Sequence, residues 1–310
     1  FIEYYKTNLH NCNIDYVTGE KIQCSEKHPS KIRNSGDKAK IFSANDTSGF
    51  TYRGRFANRE QAASIGYETS QKAHNALRWL LARQGKYIDG EMTVVWKLPQ
   101  NLKEKDSNLA LDVVDLFGDT QETFLADFDW AAECRDEDDI ELDRKFAEKL
   151  NQAMAGYRAK LQPDDEVIIL SVDAATTGRL AVTYYQEVPG NEFIDRVLHW
   201  HQNCTWPRWI KLHETKKWVF INNTAPSPNE IALAAYGTEQ EKGYLTCNDK
   251  LRKATIRRSL PCIIGLSPKI PADIVKAAVN RASNPQAYSS FVWQNCVAPV
   301  ACAMIKYNEF

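Results

Sequence analysis

The stretch EVIILSVDAATTGRLAVTYYQE, Glu166 to Glu187, limits the possible folds of this chain more than any other. It reads as two strands around a connection that carries Gly178. Leu180, Val182 and Tyr184 alternate with Ala181, Thr183 and Tyr185, the period of two that a strand imposes on its faces. The face holding Leu180, Val182 and Tyr184 is expected to be buried. Thr176–Tyr185 is therefore expected to be structural rather than catalytic. EMTVVWKL, Glu91 to Leu98, is a further short strand.

Helical signals dominate elsewhere. Glu60 to Arg83 has apolar residues at Ala63, Tyr67, Ala73, Ala76, Leu77 and Leu80, close to a 3.6-residue period, and predicts one helix. Phe146 to Leu161 predicts another, stopped before Pro163. Asn191 to His201 follows Pro189 as a helix. From Pro226 onward nearly everything is helical. Asn229–Tyr236 follows a Ser-Pro start, Pro271 sits in the first turn of Ala272–Ala282, and Pro285 precedes Tyr288–Lys306. The fold class is α+β. Residues 1–190 are an irregular mixed part with short antiparallel strands, expected to face nucleic acid, and 191–310 are a mainly helical part. No repeat or low-complexity tract is apparent.

The chain of 310 residues has an ordinary globular composition, 43% hydrophobic and 25% charged. No run approaches the roughly 18 apolar residues of a membrane span, and no signal peptide is visible. Eight dispersed cysteines in contexts such as LPCIIGL read as reduced core residues of a cytoplasmic protein, not as a disulfide framework. The net charge of −1 conceals segregation. Lys31–Arg59 has seven basic residues against two acidic. Leu111–Leu150 has fourteen acidic against four basic. Lys250–Arg258 has five basic and no acidic residues. Two basic surfaces suited to phosphate and one acidic face are expected, although charge runs are also simply solvated faces.

The first basic run carries the chemistry of a nucleic-acid contact. Lys31, Arg33, Ser43, Asn45, Tyr52, Arg53, Arg55 and Arg59 supply phosphate donors, and Phe50, Tyr52 and Phe56 supply stacking faces. Gly49 and Gly54 allow close backbone approach. A rigid helix behind the loop would hold these groups in register. The competing reading is a surface loop whose aromatics tuck into the core. In the second run, Lys250, Lys253 and Arg257 fall at i, i+3 and i+7, one face of a helix. That face would hold DNA backbone, or pair internally with the acidic block.

Metal and catalytic signals are thin. His10, Cys12, Cys24 and His28 lie close in sequence, and Cys and His are zinc ligands. The pattern lacks a C-x2-C knuckle, so no cofactor is expected, with structural zinc at Cys12, Cys24 and His28 as the alternative. His199 and His201, with Cys204, read as structural. Asp112, Asp115, Asp119 and Glu122 have magnesium-like spacing that an acidic helix face shares. No phosphate-binding loop, nucleophile elbow, zincin motif or dinucleotide fingerprint is present.

Several stretches together resemble one family. They are KIRNSGDKAKIFSANDTSGFTYRGRF followed by SQKAHNALRWLLARQG, then VDAATTGRLAVTYYQE, FIDRVLHWHQNCTW, APSPNEIALAAYG, RRSLPCII, RASNPQAY and ACAMIKY. In this order they resemble the large-subunit protein of type I-C CRISPR surveillance complexes (Cascade). Cys12, the VTGE of Val17–Glu20 and the His28–Pro29 pair fit as well. Thr177 stands where the family's ATPGRL motif has proline. The resemblance implies a piece of a longer protein, lacking an N-terminal portion and the C-terminal small-subunit region. It implies a non-enzymatic subunit that binds the guide RNA and target double-stranded DNA. Such a subunit recognises the protospacer-adjacent motif (PAM), helps open the duplex and guides the displaced strand. Its partners would be the backbone, end-cap and small subunits and the nuclease-helicase. The alternatives are a metal-dependent nuclease and a scaffold with no DNA contact.

Overall fold

The computed structural model describes residues 2–9, 11–43, 56–88, 90–98, 165–211, 218–221, 225–241, 243–264 and 266–309. The acidic block, the predicted helix Phe146–Leu161 and the loop residues Asn45, Tyr52, Arg53 and Arg55 lie outside them. The chain divides into two compact units, Phe1–Val95 with Ile169–Gln186, and Trp96–Ile168 with Glu187–Phe310. The first unit is therefore discontinuous, and its return segment lies within the strand pair Glu166–Glu187.

In the first unit, a short helix α1 (Ile2–Thr7) precedes a hairpin of β1 (Cys12–Ile14) and β2 (Lys21–Gln23). A four-stranded sheet has the order β3 (Lys86–Ile88), β4 (Glu91–Leu98), β5 (Glu166–Thr176) and β6 (Arg179–Pro189). β5 and β6 are joined by only Thr177 and Gly178, a connection short enough for antiparallel pairing alone. β4 is buried along most of its length, with Val94 and Val95 inaccessible. Thr93 and Ser171 satisfy each other there by a 2.6 Å hydroxyl contact.

β6 departs from the expected alternation. Leu180 is buried, but Val182 is 51% exposed and Tyr184 only half-buried. Among the described residues β6 ends the strand order, so one side of it has no strand neighbour there. Its start is covered by an isolated parallel bridge in which Lys40 N–H donates to Gly178 O and Leu180 N–H donates to Lys40 O. The Leu180→Ala variant is expected to lose about 2 kcal/mol in urea unfolding, the low end for a buried leucine. Val182→Ala should change stability far less, and equal losses at both positions would contradict this burial.

The predicted helix Glu60–Arg83 is two helices, α2 (Arg59–Ala62) and α3 (Tyr67–Gln84). The chain breaks at Gly66 because its backbone pairs with Cys24 beside the hairpin. A Cβ at Gly66 would collide with the Ile22 side chain. The buried face of α3 follows the apolar spacing only in part. Ser70 and His74 are buried with Leu80 and Leu81, while Ala73 and Ala76 are exposed.

The second unit is largely helical. α4 (Gly190–Asn203) buries Phe193, Ile194, Val197 and Trp200 at helical spacing. A hairpin, β7 (Arg208–Lys211) with β8 (Trp218–Ile221), leads to α5 (Pro228–Tyr236). Ser227 and Glu230 form a complete capping box at the start of α5, as the Ser-Pro signal predicts. After the two-residue strands β9 (Thr238–Glu239) and β10 (Leu245–Thr246) comes α6 (Asp249–Ile263), capped by Asn248. α7 (Ala272–Ala282) follows Pro271. α5 packs against both α6 and α7 and is apolar nearly all round, with Ile231, Ala232, Ala234 and Ala235 buried. The predicted helix Tyr288–Lys306 is α8 (Ser290–Val292), a π-helical segment Trp293–Val297 and α9 (Ala298–Glu309). Pro299 cannot donate to the carbonyl four residues back, and the wider π turn before it relieves that conflict.

Candidate nucleic-acid interface

The segment from Ser30 to Ser43 crosses the first unit without regular structure, yet it is firmly fastened. Arg33 is the first fastener. Its Nε donates to Asp37 Oδ2 at 2.9 Å, and its Nη1 lies 3.4 Å from Asp173 Oδ1 on β5 and donates to Gly90 O. Its side chain is 12% exposed. Arg33 is read from sequence as a phosphate contact, but it is turned inward, where two carboxylates make charge-assisted bonds to it. Asp37 feels burial, which raises its pKa, but the Arg33 hydrogen bond and charge leave it below the usual carboxylate range.

Arg78 on α3 is the second fastener. Its Nε donates to Lys31 O at 3.0 Å and its Nη2 to Ser30 O at 2.9 Å. Lys31 N–H donates to Asp37 O at 2.8 Å. These bonds hold Lys31 at φ 61°, a left-handed conformation that a lysine adopts only when its surroundings enforce it. Lys31 itself is exposed, and Ser43 is half-buried at the end of the segment. Arg59 opens α2. The structure thus brings Lys31 and Ser43 onto one fastened segment and removes Arg33 from the contact set. Arg78, which does the fastening, carries no sequence signal beyond its place on a helix.

A polar cluster underlies the segment. His28 Nδ1 meets Ser70 Oγ at 2.9 Å, and His74 Nδ1 donates to Ser70 O at 2.6 Å. The His28 and Phe42 rings are 5.5 Å apart. Burial, then the neighbouring His74 and Lys40 charges, push His28 down to about 4 from its ordinary 6.5. The unfolded chain therefore takes up a proton near pH 6.5 that the folded chain refuses until about pH 4. Stability is expected to fall as pH drops through that window and to lose nothing further from His28 below it. His28→Gln should flatten the dependence in urea titrations between pH 7 and 4, and an unchanged slope would contradict a neutral buried His28.

The possible zinc ligands do not converge. Cys12 pairs with Gln23 across the hairpin, so Cys24, one residue on, lies on the opposite face. Cys12 is exposed and Cys24 buried. Cys24 Sγ contacts Ser64 Oγ at 3.2 Å, and His28 is engaged with Ser70. Among the described residues no three His, Cys, Asp or Glu side chains group as metal ligands would.

The second basic run is helical, as its spacing predicts. On α6, Lys250 is exposed and Lys253 and Arg257 are half-buried along one face. Two other cations of the run are in ion pairs. Arg252 lies 3.6 Å from Asp249, and Arg258 grips Asp273 through a fork of 2.7 and 2.5 Å. Among the described residues no helix is long and apolar enough to cross a membrane.

No curated protein matches the chain. Residues 2–309 match the family described as CRISPR-associated protein (Cas_Csd1). A match across nearly the whole chain shows that this protein belongs to the Cas_Csd1 family of CRISPR-associated proteins.

Proposed function

We propose that the chain is the non-enzymatic large subunit of a type I-C CRISPR Cascade complex. In this reading it contacts target double-stranded DNA beside the guide RNA and recognises the PAM. It also assists duplex opening, handles the displaced strand and presents a surface to the nuclease-helicase. Guide pairing reads most of a target in such systems, while protein holds backbone and reads a short duplex motif. The observation that carries the reading is the basic segment fixed by Arg33 and Arg78. It presents Lys31 and leads through Ser43 into a run holding Asn45, Tyr52, Arg53, Arg55 and Arg59. Membership of a CRISPR-associated family supplies the context.

The test uses the assembled complex on target DNA. Replacing Arg53, Arg55 and Arg59 together by Ala should weaken binding. It should also flatten the dependence of log affinity on log salt by about one unit per lost phosphate contact. Unchanged affinity and slope would remove this segment from the DNA path. Magnesium-dependent cleavage by the chain alone, abolished by chelator, would overturn the non-catalytic assignment.

A further inference from the structure

The outer face of α3 carries an open aromatic ring. Trp79 is 46% exposed. Its helical neighbours three residues to either side, Ala76 and Ala82, are exposed and too short to cover the indole. Arg83, one turn on, holds its guanidinium carbon 5.0 Å from the ring centre. Arg78, one residue before Trp79, fastens Ser30 and Lys31, so the ring belongs to the helix that holds the basic segment. A second open ring is Tyr87 on β3, 63% exposed. Tyr87 pairs with Met92 across the β3–β4 hairpin, and Met92 Cε lies against Gly85 at the end of α3. Residues paired across a ladder share a face, so Tyr87 stands on the side of the sheet nearest α3. The turn of that hairpin accepts from Arg33 at Gly90 O. The segment is thus tied to the element of each ring, and Lys31 is exposed on the short span between the ties.

We infer that Trp79, Arg83, Lys31 and Tyr87 form a track for an unpaired DNA strand, the one displaced when the duplex opens. The inference rests on the DNA-binding reading above and names the strand and the residues that meet it. Bases in a duplex hide their faces in the stack, so open indole and phenol rings suit bases that have been freed. When a guide pairs with one strand of a duplex, that strand is restacked in the new hybrid, and the other strand is left with free bases. Stacking on Trp79 and Tyr87 holds such bases without reading them, and Arg83 and Lys31 meet the phosphates. The contact between guanidinium and indole sets a cation and a stacking face side by side on one rigid helix, so a base and its phosphate find both at once. Asp37 and Asp173 are engaged by Arg33, which leaves the Lys31 and Arg83 charges for phosphate.

The full chain is titrated with a fluorescein-labelled thymidine dodecamer, with an abasic strand of the same length and with a duplex of the same length. Saturable binding of the thymidine strand is expected, about tenfold tighter than the abasic strand. Trp79→Ala should weaken it about tenfold, and Trp79→Phe, which keeps a ring, should recover most of the loss. Lys31→Asn with Arg83→Gln should flatten the salt slope by about 1.4 units, about 0.7 for each phosphate contact on a single strand. Asparagine suits the left-handed backbone of Lys31. Equal binding of the abasic and thymidine strands, tighter binding of the duplex, indifference to Trp79→Ala, or a loss that Trp79→Phe does not recover would each overturn the track. In the assembled complex on target DNA, iododeoxyuridine placed in the displaced strand should crosslink to Trp79 or Tyr87, and the same label in the target strand should not. A crosslink from the target strand alone, or from neither strand, would overturn the assignment, the latter leaving these rings to a partner subunit. If the Arg53, Arg55 and Arg59 variants flatten the complex's salt slope while Trp79 is indifferent, the DNA path stands and the track falls. If Trp79 matters while those variants leave the slope unchanged, the track stands and the loop leaves the path.

Discussion

Glu230→Ala will destabilise the helical unit by about 3 kcal/mol, the low end for stripping one partner from a buried ion pair. Arg208 Nη1 lies 2.5 Å from Glu230 Oε1 and Nη2 lies 3.2 Å from Oε2, a two-point fork. The Arg208 side chain is 7% exposed, while that of Glu230 is 38% exposed. The low end is chosen because water still reaches the outer edge of the carboxylate. Glu230 also accepts from Ser227 N–H at 2.8 Å and completes the capping box of α5. One truncation thus takes the carboxylate away from a buried guanidinium and breaks one half of the capping box, the bond from Ser227 N–H. Burial alone would raise the Glu230 pKa, but the Arg208 charge and hydrogen bond win and lower it. The pair's contribution is therefore complete above the ordinary glutamate pKa and is lost as pH falls through the lowered folded value. A double variant, Arg208→Met with Glu230→Leu, should lose less than Glu230→Ala, because no unpaired charge remains. Urea unfolding followed by tryptophan fluorescence measures both. A Glu230→Ala loss below about 1 kcal/mol would place the pair in effective contact with solvent.

The elements that were legible in the sequence are those that local chemistry decides. α4, α5 and α7 were foreseen because apolar spacing and a Ser-Pro or Pro start mark them without reference to the rest of the chain. The β5–β6 hairpin was foreseen from alternation and Gly178. What local chemistry does not decide was misread. Ser70 and His74 look like the solvent side of α3, yet they are buried because they satisfy each other and His28, which lies forty-two residues away from Ser70. Val182 has the right parity for a buried face but sits on a terminal strand. Arg33 resembles its basic neighbours, and only the return of β5 shows that Asp173 awaits it.

Reversing the charge of the α6 face, with Lys250, Lys253 and Arg257 all changed to Glu, is expected to weaken target-DNA binding by the assembled complex by roughly a hundredfold at low salt. The helix has anchors besides these side chains. Ile256 and Leu260 are buried beneath it, Asn248 caps its start, and Arg258 ties it to Asp273 on α7. The alternative is that these charges pair with the acidic block Leu111–Leu150, within the protein or on a neighbouring subunit; that block lies outside the described residues, and the acidic partners of Arg252 and Arg258 are Asp249 and Asp273, which are not part of it. Those two pairs lie at exposed or partly exposed positions, and such pairs add little to stability. What distinguishes the readings is which property moves. If the face holds phosphate, affinity drops and the salt slope falls by about one unit per lost contact, while melting temperature and assembly are preserved. If Lys253 and Arg257 serve packing or subunit contacts, their reversal lowers the melting temperature or blocks assembly first. A parallel variant, Arg258→Ala, separates the two further. It removes one cation and its ion pair from the same helix while leaving Lys250, Lys253 and Arg257 in place. It should cost well under 1 kcal/mol in stability and leave DNA affinity nearly unchanged. Equal DNA losses from Arg258→Ala and from the triple reversal would mean that general charge, not this face, governs binding. Loss of assembly without selective loss of affinity would remove α6 from the DNA path.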